Sequence, residues 1–164
     1  MEIKIITKNK EETLKLGEII ASKIFIGEII TLSGDLGAGK TTLTKGIGKK
    51  LGVKEEINSP TFNILKCYFS SSIPLYHIDA YRLEDIPREN KNIGLEEVIE
   101  GDGVAIIEWP KFIEEFLNFD DVLDIVIKIN ENNEREFTIS SKNERFSSLF
   151  NELKEVYKLW LLYF

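Results

Sequence analysis

The sequence predicts an α/β fold in which helices cover a mixed parallel and antiparallel sheet, on three observations. Strand-like runs alternate with helical patterns in the first half, one strand leads directly into a glycine-rich loop and a helix, and two later pairs of strand-like runs are joined by short polar segments. "MEIKII" alternates and reads as the first strand. "NKEETLKLGEIIASKI" follows as an amphipathic helix, with Asn9 and Glu12 at the spacing of a capping box. "EIITLS" is a β-branched, mostly apolar strand, and "TTLTKGIGKKL" is a helix that stops near Gly52. "FNILKCYF" and "IPLYHIDAY", separated by three serines and Pro74, predict a long hairpin. "GLEEVIE" reads as a short helix and "GVAIIEWP" as a buried strand ended by Pro110. "DVLDIVIKI" and "REFTIS" flank the asparagine-rich turn "NENNE" and predict a second hairpin.

The last segment carries Phe146, Leu149, Phe150, Leu153, Val156, Tyr157, Trp160, Leu161 and Phe164 at three- and four-residue steps, the stripe of an amphipathic helix. Covering the sheet of its own domain is the expected role of that stripe, and a partner or self-association surface is the other. Residues 1–164 read as one domain, with 141–164 as a helical extension. A net charge of -7 disfavours binding nucleic acid through a broad basic face, and Lys45, Lys49 and Lys50 read as a solvated patch. Cys67, the only cysteine, has no internal disulfide partner, and no charged-then-apolar leader opens the chain, so a cytoplasmic location is expected. The longest apolar run falls far short of a membrane span.

The loop "GDLGAGKTT" carries the chemistry. Gly34, Gly39, Lys40 and Thr41 satisfy G-x-x-x-x-G-K-[ST], for which a chance match in a chain this long has a probability of about 1 in 200. Glycines let the backbone of Gly34, Asp35, Leu36, Gly37, Ala38 and Gly39 curl so that N–H groups point at phosphate oxygens, and the helix start adds its positive end. Lys40 is placed to reach the β- and γ-phosphates, the Thr41 hydroxyl to bind Mg²⁺, and the N–H groups as far as Thr42 to complete the cradle. The fold expected around such a loop is the three-layer, P-loop NTPase-like one. No base-recognition element of the guanine type follows the cradle, so ATP is the expected nucleotide.

Two acids close apolar strands, Asp79 after "PLYHI" and Glu108 after "VAII". One is expected to serve the metal and the other to orient water or sense the γ-phosphate, and residue chemistry alone does not assign them. "NSPTFN" supplies a stiff, hydroxyl-bearing loop with Ser59 and Thr61, where nucleotide-sensing switches often sit. His77 shares a face with Asp79 by period-two alternation and is given a supporting role.

Taken together, "ETLKLGEII", "GDLGAGKTTLTKGIG", "SPTF", "YHIDAYRL" and "IIEWP", in this order and spacing, closely resemble the TsaE (YjeE) family over roughly Glu12 to Arg135. The resemblance implies a weak, partner-stimulated ATPase required for threonylcarbamoyladenosine on the adenosine beside the tRNA anticodon. Its implied partner is the TsaB–TsaD pair, with tRNA involved indirectly. It assigns Glu108 to the metal beside Thr41, Asp79 to hydrolysis, Thr61 to the vicinity of the γ-phosphate and Arg135 to the vicinity of the nucleoside. Trp109 belongs to the same motif and is given a positional role. The extension after the second hairpin departs from the family pattern. Two rival readings are a small-molecule kinase, against which the four scattered arginines count, and a binding module regulated by ATP.

Overall fold

A computed structural model describes residues 1–91 and 94–163, with side chains as far as Lys158. β1 (Glu2–Thr7) leads into α1 (Lys10–Ala21), whose N-terminus is capped by Asn9 accepting from the Glu12 N–H at 2.9 Å. Glu12 reaches back to the Lys8 N–H at 2.7 Å, one residue before the cap, so the side chains of Asn9 and Glu12 together fix the chain entering the helix. β2 (Ile29–Ser33) then enters the glycine loop and α2 (Lys40–Leu51), which ends in a left-handed Gly52.

β3 (Leu65–Tyr68) and β4 (Leu75–Asp79) form the first hairpin, and β6 (Leu123–Ile129) and β7 (Arg135–Ser140) the second. Between them lie α3 (Arg88–Lys91), α4 (Leu95–Ile99) and β5 (Val104–Glu108). β3 starts three residues later than its apolar run suggests. The Pro60 carbonyl accepts from the N–H groups of Asn63 and Ile64, and Ile64 adopts φ 63°, so a turn takes the residues that the pattern alone gives to the strand. α3 and the 3₁₀ turns at Tyr81–Leu83, Pro110–Phe112, Glu114–Phe116 and Glu144–Phe146 leave no periodic signature in so few residues.

The seven strands lie in the order β1-β7-β6-β2-β5-β4-β3. β6, β2, β5 and β4 run parallel, and the two hairpins and β1 add the antiparallel edges. This is the mixed three-layer architecture that the sequence predicts. On one face Ile30, Leu32, Ile106 and Ile125 pack against Leu16 and Ile20 of α1 and Leu43 and Ile47 of α2. On the other, Ile78 and Ile107 pack against Leu95 and Ile99 of α4 and Leu83. α5 (Ser147–Tyr163) sends Leu149, Phe150 and Leu153 into the first core, joined by Phe146 and flanked by a partly buried Tyr157. The stripe therefore covers this chain's own sheet as far as Tyr157, while the side chains of Trp160, Leu161 and Phe164 lie outside the described residues.

α1 and α2 cross at unusually close range. A methyl group on Gly46 would collide with the Leu14 carbonyl, and one on Gly17 would sit 2.5 Å from the Leu43 carbonyl oxygen. The approach carries the start of α1 up beside the glycine loop, which gives the site its second wall.

Candidate functional site

Gly39, immediately before α2, has φ 111°, a conformation that side chains rarely tolerate, and it turns the chain so that Lys40 opens the helix. Lys40 is 6% exposed, and its ammonium donates to the carbonyls of Gly34 at 2.6 Å and Asp35 at 3.0 Å. Burial pushes the Lys40 pKa below the usual lysine value, while the carboxylates of Glu108, Asp79 and Asp35 oppose that shift. A buried cation facing two acids in a cleft is a charge arrangement that favours a polyanion bringing its own divalent ion.

The cleft above the loop has a volume of about 460 Å³. Leu36, Gly37, Gly39, Lys40, Thr41 and Thr42 form its floor, and Asp79 and Glu108 stand opposite with Thr61, Ser59, Tyr81 and Trp109. Strand register explains the convergence: Leu32 pairs with Glu108, and Glu108 pairs with Asp79, so β2, β5 and β4 end level. In parallel sheets such carboxyl ends are where ligands bind. Gly34, Asp35 and Ala38 do not line the cleft, although the first two supply the carbonyls that hold Lys40.

Asp79 is 3% exposed and fully engaged. One carboxylate oxygen accepts from the Tyr81 N–H at 3.0 Å, and the other from the hydroxyls of Thr61 at 3.0 Å and Ser59 at 3.3 Å. The "SPTF" loop is thus tied to β4 through this one carboxylate. Glu108, 2% exposed, accepts from His77 Nε2 at 3.0 Å. Arg135 lies apart from both acids. It donates to the carbonyl of Asn133 and, at 3.5 Å, to that of Gly37, and it lines a second hollow of about 290 Å³. Thr7 at the end of β1, the cap residue Asn9 and Thr13 of α1 also line it, and Gly37, Gly39 and Thr42 are common to the hollow and the cleft.

The donor set suits one kind of ion. Among the described residues no three His, Cys, Asp or Glu side chains cluster to hold a metal by themselves. A hydroxyl at Thr41 and a carboxylate at Glu108 facing one cleft fit Mg²⁺, which takes few protein ligands and completes its shell with phosphate and water.

The family model described as "Threonylcarbamoyl adenosine biosynthesis protein TsaE" matches residues 7–137. The chain belongs to the TsaE family. Its relatives include the tRNA threonylcarbamoyladenosine biosynthesis protein TsaE of Bacillus subtilis, 44% identical over 93% of this chain and 94% of that protein. The protein of the same name from a Nostoc species is 47% identical over 66% of this chain and 68% of its own. The crystal structure of Bacillus subtilis YdiB superposes with a TM-score of 0.80 at 39% identity, covering 94% of this chain and 95% of that one. The match to the Bacillus TsaE spans 93% of the chain and so reaches past the second hairpin, whereas the family model stops at residue 137.

Beside the TsaE motifs, four features of the site escape a reading of the sequence. Tyr81 enters the cleft because its N–H closes a turn onto Asp79 two residues earlier, a habit of aspartate that "IDAY" could have signalled. The hollow at Thr7, Asn9 and Thr13 depends on how closely α1 meets α2, for which Gly17 and Gly46 were the only hint. The His77–Glu108 pair spans 31 residues and needs the strand order. The contact between Lys40 and the Trp109 ring, 4.7 Å to the centroid, has no signature in spacing. Among the described residues, no helix is long and apolar enough to cross a membrane.

Proposed function

We propose that this chain binds ATP with Mg²⁺ in the cleft and hydrolyses it slowly, with turnover raised when a TsaB–TsaD pair docks on it, in the cytoplasm. The observation that carries this reading is the convergence of Lys40, Thr41, Asp79 and Glu108 on one cleft at the level ends of three adjacent parallel strands. The family's part in tRNA threonylcarbamoyladenosine biosynthesis supplies the context. An acidic chain serves such chemistry through a protein partner, with tRNA contacted indirectly.

In this reading Lys40 leaves the Gly34 and Asp35 carbonyls to meet the β- and γ-phosphates, and the N–H groups from Gly37 to Thr42 donate to the same oxygens. Thr41 and Glu108 hold the ion. Mg²⁺ in that place neutralises charge on the phosphate oxygens. Asp79 orients the attacking water and takes up its proton, with Thr61 and Ser59 exchanging their bond to Asp79 for contacts at the γ-phosphate. The hollow beside Arg135 is the site for the nucleoside, since it joins the cleft at Gly37, Gly39 and Thr42, where the phosphate chain would leave the cradle.

The test is ATP hydrolysis by the chain alone and with a TsaB–TsaD pair, for wild type and Asp79→Ala. Stimulation lost in the variant supports the reading. Nucleotide binding without stimulation, together with ATP consumption that rises with a small acceptor, would replace it with a kinase.

A further inference from the structure

We propose that His77 is the positioning residue for the Glu108 carboxylate, holding one oxygen so that the other is presented to the ion in the cleft. The proposal rests on the metal-side reading of Glu108. His77 is completely buried in β4, and among the described residues the only hydrogen bond of its side chain runs from Nε2 to Glu108 Oε1 at 3.0 Å. Its Nδ1 is buried with no hydrogen-bond partner among the described residues. A buried polar atom left unpaired costs about 1–3 kcal/mol, so an apolar side chain would fill this space at lower cost. Core packing alone therefore does not account for an imidazole here, whereas the bond to Glu108 does.

The strands fix this contact. His77 pairs in register with Ile106, and side chains of like parity share a face, so His77 and Glu108 are diagonal neighbours across β4 and β5. A carboxylate oxygen only accepts, so the hydrogen belongs to Nε2. Without that donor, the end of the Glu108 side chain would be free to rotate, and Oε1 would lose its partner in a nearly dry setting. With it, the carboxyl plane is held and the second oxygen is left for the cleft that Thr41 also lines. Orientation of a metal ligand by a neighbouring hydrogen bond is worth about 10–100-fold in metal affinity.

The experiment uses the full chain with ADP and reads Mn²⁺ binding by electron paramagnetic resonance, alongside ADP affinity without metal and thermal unfolding. His77→Leu should raise the Mn²⁺ dissociation constant about 10–100-fold. His77→Asn, with an amide too short to reach Glu108, should do the same. His77→Gln can return a donor near the position of Nε2 and should recover most of that loss. Metal-free ADP affinity should stay at the wild-type level in all three. Wild-type Mn²⁺ affinity in His77→Leu and His77→Asn, or a loss in His77→Gln as large as in His77→Leu, overturns the proposal. Glu108→Gln separates the two levels: if it loses Mn²⁺ while His77→Leu does not, only the role of His77 falls. If Glu108→Gln binds Mn²⁺ normally, the metal-side reading falls and the proposal with it.

Discussion

The ammonium of Lys40 lies 4.7 Å from the centroid of the Trp109 ring while it donates to the Gly34 and Asp35 carbonyls. Trp109 holds φ 57°, in the left-handed region, at a cost of about 1–3 kcal/mol for a residue with a side chain. Its N–H donates to the Leu32 carbonyl at 3.2 Å, which ties the strained turn after β5 to the strand leading into the loop. The strained turn thus sets an indole over the buried Lys40 ammonium in the cleft.

Lys40→Ala should therefore weaken ADP binding by about 10–100-fold, the worth of a charge-assisted hydrogen bond, by isothermal titration. In a Trp160→Phe background, where Trp109 is the only indole, ADP should change the emission with Lys40 present and leave it unchanged in Lys40→Ala. Affinity unaltered by Lys40→Ala would remove the lysine from the site.

Asp79 accepts three hydrogen bonds, two of them from hydroxyls of a neighbouring loop. Asp79→Asn keeps the shape but turns one acceptor into a donor and removes the base. Turnover measured with the partner pair should fall by about 100-fold or more, the usual worth of a positioned base. ADP affinity should change little, because Asp79 faces the cleft opposite the cradle. Thr61→Val should lose less, since Ser59 still ties the loop to Asp79. Wild-type turnover in Asp79→Asn would refute the water-positioning role.

Much of the fold is legible because its signals are local. Each strand and helix that matters to the cleft is a periodic run bounded by a cap, a glycine or a proline, and the cradle is contiguous. Ile64 shows the limit, since a β-branched residue in an apolar run occupies a turn that only the Pro60 carbonyl dictates. The site divides the same way. Lys40 and Thr41 follow from spacing within one loop, and Asp79 and Glu108 from their place at strand ends. That these acids are direct neighbours, and that His77 meets Glu108, depends on β4 lying beside β5. Strand order is a property of the whole sheet.

The contact between α1 and α2 offers a test whose sign decides. Alanine in place of glycine inside an exposed helix stabilises by about 1 kcal/mol. At Gly46 the added methyl meets the backbone carbonyl of Leu14, which cannot step aside without moving α1. Gly46→Ala should instead destabilise by about 1–3 kcal/mol, a fall of roughly 2–4 °C in Tm for each kcal/mol. It should also weaken ADP binding, because α1 carries one wall of the hollow beside Arg135. A rise in Tm would show that the two helices do not cross this closely.

Glu28 precedes β2 at the end of the sheet away from the cleft, 1% exposed. One oxygen accepts from the Phe25 N–H at 3.1 Å, and the other has no hydrogen-bond partner among the described residues, with Arg145 Nε 4.0 Å away. Burial pushes its carboxyl pKa above the usual 4.5, against the pull of the Phe25 N–H and the Arg145 charge. The folded chain thus holds this proton more tightly than the unfolded one. The contribution of Glu28 to stability is fully present below about pH 4.5 and is lost as pH rises through the raised value. Glu28→Gln keeps an acceptor for Phe25 and carries no charge to desolvate, and the Arg145 contact it gives up is long and half-exposed. Thermal unfolding should find the variant more stable than wild type at pH 7.5, with the gap closing toward pH 4.5. A gap that does not depend on pH would mean that Arg145 compensates the buried charge in full.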